Sequence, residues 1–218
     1  MTDPVMHNVS SSDVSRDASR SSTEDSSNKK SISPVKLSSE HTFFFSIVVA
    51  LVLAFAIRFF VAAPYIVSGS SMEPNFENWD YLIVDRLTYD FEAPQRGDVI
   101  VLDLPTDRSR ALIKRVIGLP GDTVVLSGTN PSITIINAAY PNGFTVPEPY
   151  IDPHNYGGIT DTRYTLGTDQ YFVMGDNRKV SSDSRIWGIL PRADIVGRVL
   201  LRLYPLNELG ILPAEARY

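Results

Sequence analysis

The stretch FFFSIVVALVLAFAIRFFVAAPYIV, Phe43 to Val67, constrains this chain more than any other. It holds 25 residues and a single charge, Arg58. Wound as a helix it is about 37 Å long, enough to cross a hydrocarbon core of about 30 Å. Arg58 lies far enough along to reach toward the interface. A cleaved secretory leader is the rival reading, and "VAA" suits a cleavage site. However, 42 residues precede the apolar run, and the run exceeds an ordinary leader core. A retained transmembrane helix over 43–67 is therefore expected. Lys29, Lys30 and Lys36 precede it, opposed locally by Glu40, whereas Glu73, Glu77 and Asp80 follow. Basic residues before and acids after place the N-terminus in the cytoplasm and residues 68–218 outside, in a single-pass arrangement at the cell membrane.

Residues 1–42 are Ser, Asp, Asn and Lys-rich with almost nothing to bury, so they are expected to be a disordered cytoplasmic tail. From Tyr81 onward the chain reads as short strands: YLIVDRL, DVIVLDL, ALIKRVIG, DTVVL, SITII, QYFVMG and GRVLLRLY. They are rich in β-branched residues and punctuated by Gly, Pro, Asn and Asp. No long segment beyond residue 67 has helical periodicity, so a mainly β barrel or sandwich is expected over 68–218. Residues 127–170 are turn-rich and read as a hairpin-and-loop excursion.

Composition removes several chemistries. With no cysteine there are no disulfides, thiolates or Cys-bound zinc. His7, His41 and His154 lack metal-ligand spacing, so neither a metal nor a cofactor is expected. Beyond residue 63, 14 Lys and Arg face 19 Asp and Glu, a balance that argues against nucleic acid as a partner.

What remains is hydroxyl chemistry. SGSSMEP, Ser68 to Pro74, reads either as a polar turn or as a turn presenting a nucleophile. A serine hydroxyl needs a base to take its proton. His154, in the loop YIDPHNYGG, is the histidine on the same side of the run as these serines, but a lone histidine in a Pro, Gly and Asn-rich loop reads first as a surface residue. Beyond the apolar run the lysines are Lys114 and Lys179. On a strand, alternation groups Lys114 with Leu112 and Val116. An amine so flanked is desolvated, which lowers its pKa and suits it to general base work near pH 8. The same pattern also fits a lysine that merely snorkels out of an apolar strand. VMGDNRKVSSDSRIWG, Val173 to Gly188, is dense in hydroxyls suited to aiming such an amine, and Asp183 with Arg185 suits an ion pair. Taken by itself, GDNR reads first as an ordinary turn after a strand.

Taken in order, SGSSMEP, RGDVIVL, IKRVIGLPGD and GDNRKVSSDSRIWG closely resemble the motifs of bacterial type I signal peptidases, or leader peptidases. The likeness covers the apolar run and nearly all of 64–205. It implies a β-rich peptidase core, of the fold shared with SOS-type repressors, carrying an inserted β-ribbon. It also implies a serine endopeptidase that removes signal peptides from exported preproteins, cleaving after small residues of A-x-A type at the membrane surface. By position, Ser71 falls on the nucleophile, Lys114 on the general base, Ser181 on the lysine-orienting hydroxyl, and Asp183 and Arg185 on a structural ion pair. Asp176 and Asn177 belong to the same loop. Asn75 and Phe76 depart from the Thr and Leu common in the family, and 127–170 match loosely. A self-cleaving repressor would need a DNA-binding N-terminus in place of a polar tail and an apolar run. A non-enzymatic membrane-anchored β domain gives no reason for one lysine on an apolar strand face.

Overall fold

The computed structural model describes residues 39–56, 61–129, 131–214 and 216. The tail expected over 1–42 lies almost wholly outside them, as does Arg58. Helix α1 spans Ser39–Ala56, and its apolar side chains from Phe43 to Phe55 are exposed. Among the described residues no helix is long and apolar enough to cross a membrane.

The far end of the apolar run differs from the continuous helix expected over 43–67. Ala62–Ile66 form strand β1, antiparallel to β2 (Tyr81–Asp85), with Pro64 opposite Ile83. Proline has no N–H to give a helix and disrupts its interior. An edge strand tolerates it, and β1 is the edge of its sheet.

The remaining principal strands are β3 (Val99–Leu104), β4 (Asp107–Gly118), β5 (Thr123–Ser127), β6 (Ser132–Ile136), β7 (Phe144–Thr145), β8 (Thr162–Thr165), β9 (Gln170–Met174), β10 (Leu190–Pro191), β11 (Ile195–Tyr204) and β12 (Gly210–Ile211). The main sheet runs β1-β2-β11-β3-β4-β9-β10, with β12 added on β11. Every pairing is antiparallel. A second sheet, β7-β6-β5-β8, takes up much of the excursion but starts at Thr123, slightly before the expected boundary. The described helices beyond α1 are short: α2 (Thr88–Phe91), α3 (Ser184–Trp187) and three single 3-10 turns.

The main sheet is covered on both faces. In β3, Val99 and Val101 join a cluster with Met72, Phe76, Leu82 and Val84, while Ile100 and Leu102 join another with Val116, Val173 and Leu190. That split is the period-two alternation of a strand buried on both sides. A third cluster, including Ile117, Val124, Ile135 and Phe172, fastens the small sheet to the end of β4 and to β9. Lys114 stands opposite Ile100 in the register, and Leu112 and Val116 pack in the same cluster as Ile100. The apolar flanks expected for this amine are therefore present.

Candidate active site

Ser71 lies in the turn joining β1 to β2. Gly69, at φ 101°, takes a backbone conformation that side-chain-bearing residues rarely adopt, and its N–H donates to Asn78 Oδ1 at 3.1 Å. The Val67 and Trp79 N–H groups close the base of the turn on the carbonyls of Asp80 and Val67. Met72 and Phe76 are buried and hold it to the sheet. The Ser71 carbonyl accepts from the Asn177 N–H at 3.0 Å, tying the serine to the loop that follows β9.

Lys114 is 2% exposed. Its Nζ lies 2.8 Å from Ser71 Oγ and donates to the Ile113 carbonyl at 2.7 Å. Burial pulls the amine down from 10.5 to about 8, and Arg185 adds to that fall, while Asp183 and Asp176 oppose it. A useful fraction is therefore neutral near pH 8. A neutral amine at hydrogen-bond distance from a hydroxyl has the geometry of a general base and its nucleophile. His154 is exposed in a 3-10 turn and its ring bonds to Asp152. Among the described residues the ionisable side chain bonded to Ser71 Oγ is Lys114.

Asp183 and Arg185 form a two-pronged ion pair, with Nε to Oδ1 at 2.8 Å and Nη2 to Oδ2 at 2.7 Å. Burial alone would raise the Asp183 carboxyl. The bonds and charge of Arg185 and the Gly175 N–H outweigh it and hold the carboxyl below its ordinary value. Arg185 also donates to the carbonyls of Gly157, Gly158 and Arg178, so the pair staples the excursion to the loop after β9.

Ser181 Oγ is buried and makes no hydrogen bond of ordinary geometry, to Lys114 or to any other group. It and the Ser71 carbonyl both lie within 2.5 Å of the point where a Cβ on Gly175 would stand. Gly175 is thus the one residue type that lets these two groups pack together. The Asn177 Oδ1 is likewise buried without a partner.

Arg115 is the residue the sequence reading passed over. It is fully buried one position from the base and grips Asp176 with Nε to Oδ1 at 2.8 Å and Nη2 to Oδ2 at 2.6 Å. It also donates to the carbonyls of Gly97 and Ala214. The signal was available: a permanent cation inside an apolar strand requires a buried acid, and GDNR offers one. Arg178 and Glu148 form a second buried pair, and nothing in their local sequence foretells it.

A cavity of about 110 Å³ opens beside the pair, lined by Tyr65, Val67, Leu82, Val101 and Ile113 among others. Ser71 and Lys114 form part of its wall. Two stretches of strand flank it: the end of β1, and Ala111–Lys114 of β4, where β4 is not paired with β9.

Residues 41–204 match the family model for signal peptidase, peptidase S26. A probable signal peptidase I-1 of Synechocystis sp. is 41% identical over 174 residues, covering 76% of this chain and 83% of that protein. Signal peptidase I of Leptolyngbya laminosa is 39% identical, covering 78% and 82% respectively. Signal peptidase I S of Bacillus subtilis is 36% identical, covering 75% and 89%.

Proposed function

The chain belongs to the signal peptidase family, peptidase S26, and on that footing we propose that it is a membrane-anchored endopeptidase that removes signal peptides from exported preproteins. The observation that carries the mechanism is the 2.8 Å contact between Ser71 Oγ and a buried amine whose pKa is drawn down to about 8. Neutral Lys114 takes the hydroxyl proton as Oγ attacks the scissile carbonyl. The resulting ammonium then protonates the departing amine, leaving an acyl-enzyme on Ser71. Returned to its neutral form, Lys114 next takes a proton from water, which attacks the ester and frees Ser71. The Ser71 backbone N–H is the proposed donor to the oxyanion. Asp183 and Arg185 brace the loop, and Ser181, which is not bonded to Lys114 at rest, is proposed to aim the amine during the reaction.

Substrate choice follows from the cavity. Its apolar lining and size suit a small side chain at the cleavage site. Strand edges on both sides suit an extended peptide pairing through its backbone.

The anchor is proposed over the apolar run, with α1 as its helical part. A helix apolar on every side needs an apolar surrounding, and α1 exposes Phe43, Phe44, Leu51, Val52 and Phe55 alike. Ser71 follows the end of α1 by 15 residues, five of them in β1, and so short a tether keeps the nucleophile close to the bilayer surface where a signal peptide arrives.

The test is cleavage of a preprotein ending its leader in A-x-A, by the full chain in detergent. Cleavage should rise as pH rises through about 8. Ser71→Ala and Lys114→Arg should both be inactive, since a guanidinium stays protonated. Full cleavage by either variant overturns the mechanism.

A further inference from the structure

The nucleophile turn is held from the excursion as well as from its own strands. Asn75 donates through Nδ2 to the Tyr150 carbonyl at 2.8 Å and to Asp176 Oδ2 at 2.9 Å. Asn155 donates through its Nδ2 to the Glu73 carbonyl at 2.9 Å. Asparagines in turns usually bond to backbone close by in sequence. These two reach partners 75 and 82 residues away.

The segment carrying Tyr150 and Asn155 is itself fixed. Glu148 takes two bonds from the fully buried Arg178, and the Tyr150 ring lies 4.0 Å from the Arg115 guanidinium. Asp176, gripped by that same guanidinium, is the second partner of Asn75. One amide therefore joins the stretch after Ser71 to both the excursion and the loop after β9. Neither of these two bonds involves Lys114 or Ser71 Oγ.

From this we propose that Val146–Asn155 is a positioning strap for the nucleophile, and that Asn75 is the positioning residue through which it acts. The proposal rests on the Ser71–Lys114 reading above. Ser71 lies between strands, not within one, so the place of its hydroxyl depends on how the turn is braced. A shift of about 1 Å in a reacting atom costs on the order of a hundredfold in rate. The strap leaves the burial of Lys114 untouched, and Asp176, whose charge opposes the fall in the amine's pKa, keeps its two bonds to Arg115 without Asn75, so the strap sets alignment and leaves protonation nearly as it is.

The experiment compares Asn75→Ala, Asn155→Ala and Asn137→Ala in the full chain in detergent, with Ser71→Ala alongside. Asn137 bonds to Asp122 elsewhere in the excursion and serves as the control. The readouts are the single-turnover cleavage rate at saturating preprotein, the KM, the pH midpoint of that rate, and the melting temperature. Asn75→Ala should slow cleavage by about ten- to a hundredfold, with KM and pH midpoint unchanged. Asn155→Ala should slow it less, in the same parameter, and Asn137→Ala should not. Cleavage at the normal rate by folded Asn75→Ala and Asn155→Ala, or a loss confined to KM or to the pH midpoint, overturns the strap. An active Ser71→Ala enzyme would instead overturn the reading beneath it, and the strap with it.

Discussion

Lys114→Met should abolish cleavage and, at neutral pH, make the protein more stable. The amine titrates near 10.5 when free and near 8 in the fold. Below about pH 8 it is an ammonium in both folded and unfolded chains, and the folded chain bears the whole cost of burying it. Between about 8 and 10.5 the folded chain has released the proton and the unfolded chain has not, so the cost fades as pH rises. Above that range it is gone. The difference in pKa corresponds to about 3 kcal/mol. Methionine fills a similar space without charge and adapts its shape to the site. It forfeits the bonds to the Ile113 carbonyl and Ser71 Oγ, a net loss of about 1 kcal/mol each. About 1 kcal/mol of stabilisation remains, or about 2–4 °C in melting temperature for a domain of this size. The assay is thermal melting of both proteins in the same detergent from pH 6 to pH 10. The gain should be full at pH 6–7 and should vanish or reverse by pH 10. A lower melting temperature at pH 7, or a difference independent of pH, would refute the reasoning that burial lowers the pKa of Lys114.

Gly175→Ala should destabilise the protein and silence it together, because its Cβ would stand 2.2 Å from Ser181 Oγ and 2.4 Å from the Ser71 carbonyl; melting and single-turnover cleavage check this, and a stable, active variant contradicts it. Ser181→Ala should behave in the opposite way on stability: it removes a buried hydroxyl without a partner, so melting should hold or rise slightly, while cleavage falls about ten- to a hundredfold for loss of a bond worth about 1.5–3 kcal/mol during the reaction. The exposed Ser182→Ala should cleave normally, and a damaged Ser182→Ala would shift the orienting role to that residue.

The parts legible in the sequence are those set by local rules. Strand periodicity located β2 to β6, β9 and β11, because alternation and β-branching act over a few residues. The candidate pair rests on the resemblance of SGSSMEP and IKRVIGLPGD to signal peptidase motifs, because the residues alone leave a polar turn and a snorkelling lysine open. The apolar run was misjudged at its far end, where hydropathy alone does not separate a spanning helix from an edge strand. Pro64 carried that information, and pairing with β2 decided it. Arg178–Glu148 and Asn75–Tyr150 were invisible because each joins residues 30 and 75 positions apart through the fold of the excursion. Nothing in either partner's neighbourhood specifies the other.

Lys114 and Arg115 are consecutive on β4, and the strand sends them to different destinations: one to Ser71, the other to Asp176. A one-residue slip of β4 against β3 would exchange them. The guanidinium, which never gives up its proton, would then face the serine, and the amine would sit against a carboxylate that keeps it charged. Either substitution leaves the enzyme inert. The two-pronged grip on Asp176 fits a guanidinium and not an ammonium, so it accepts only one of the two registers. The grip of Arg115 on Asp176 is thus a register mark: it is satisfied only in the alignment of β4 that also sets Lys114 beside Ser71.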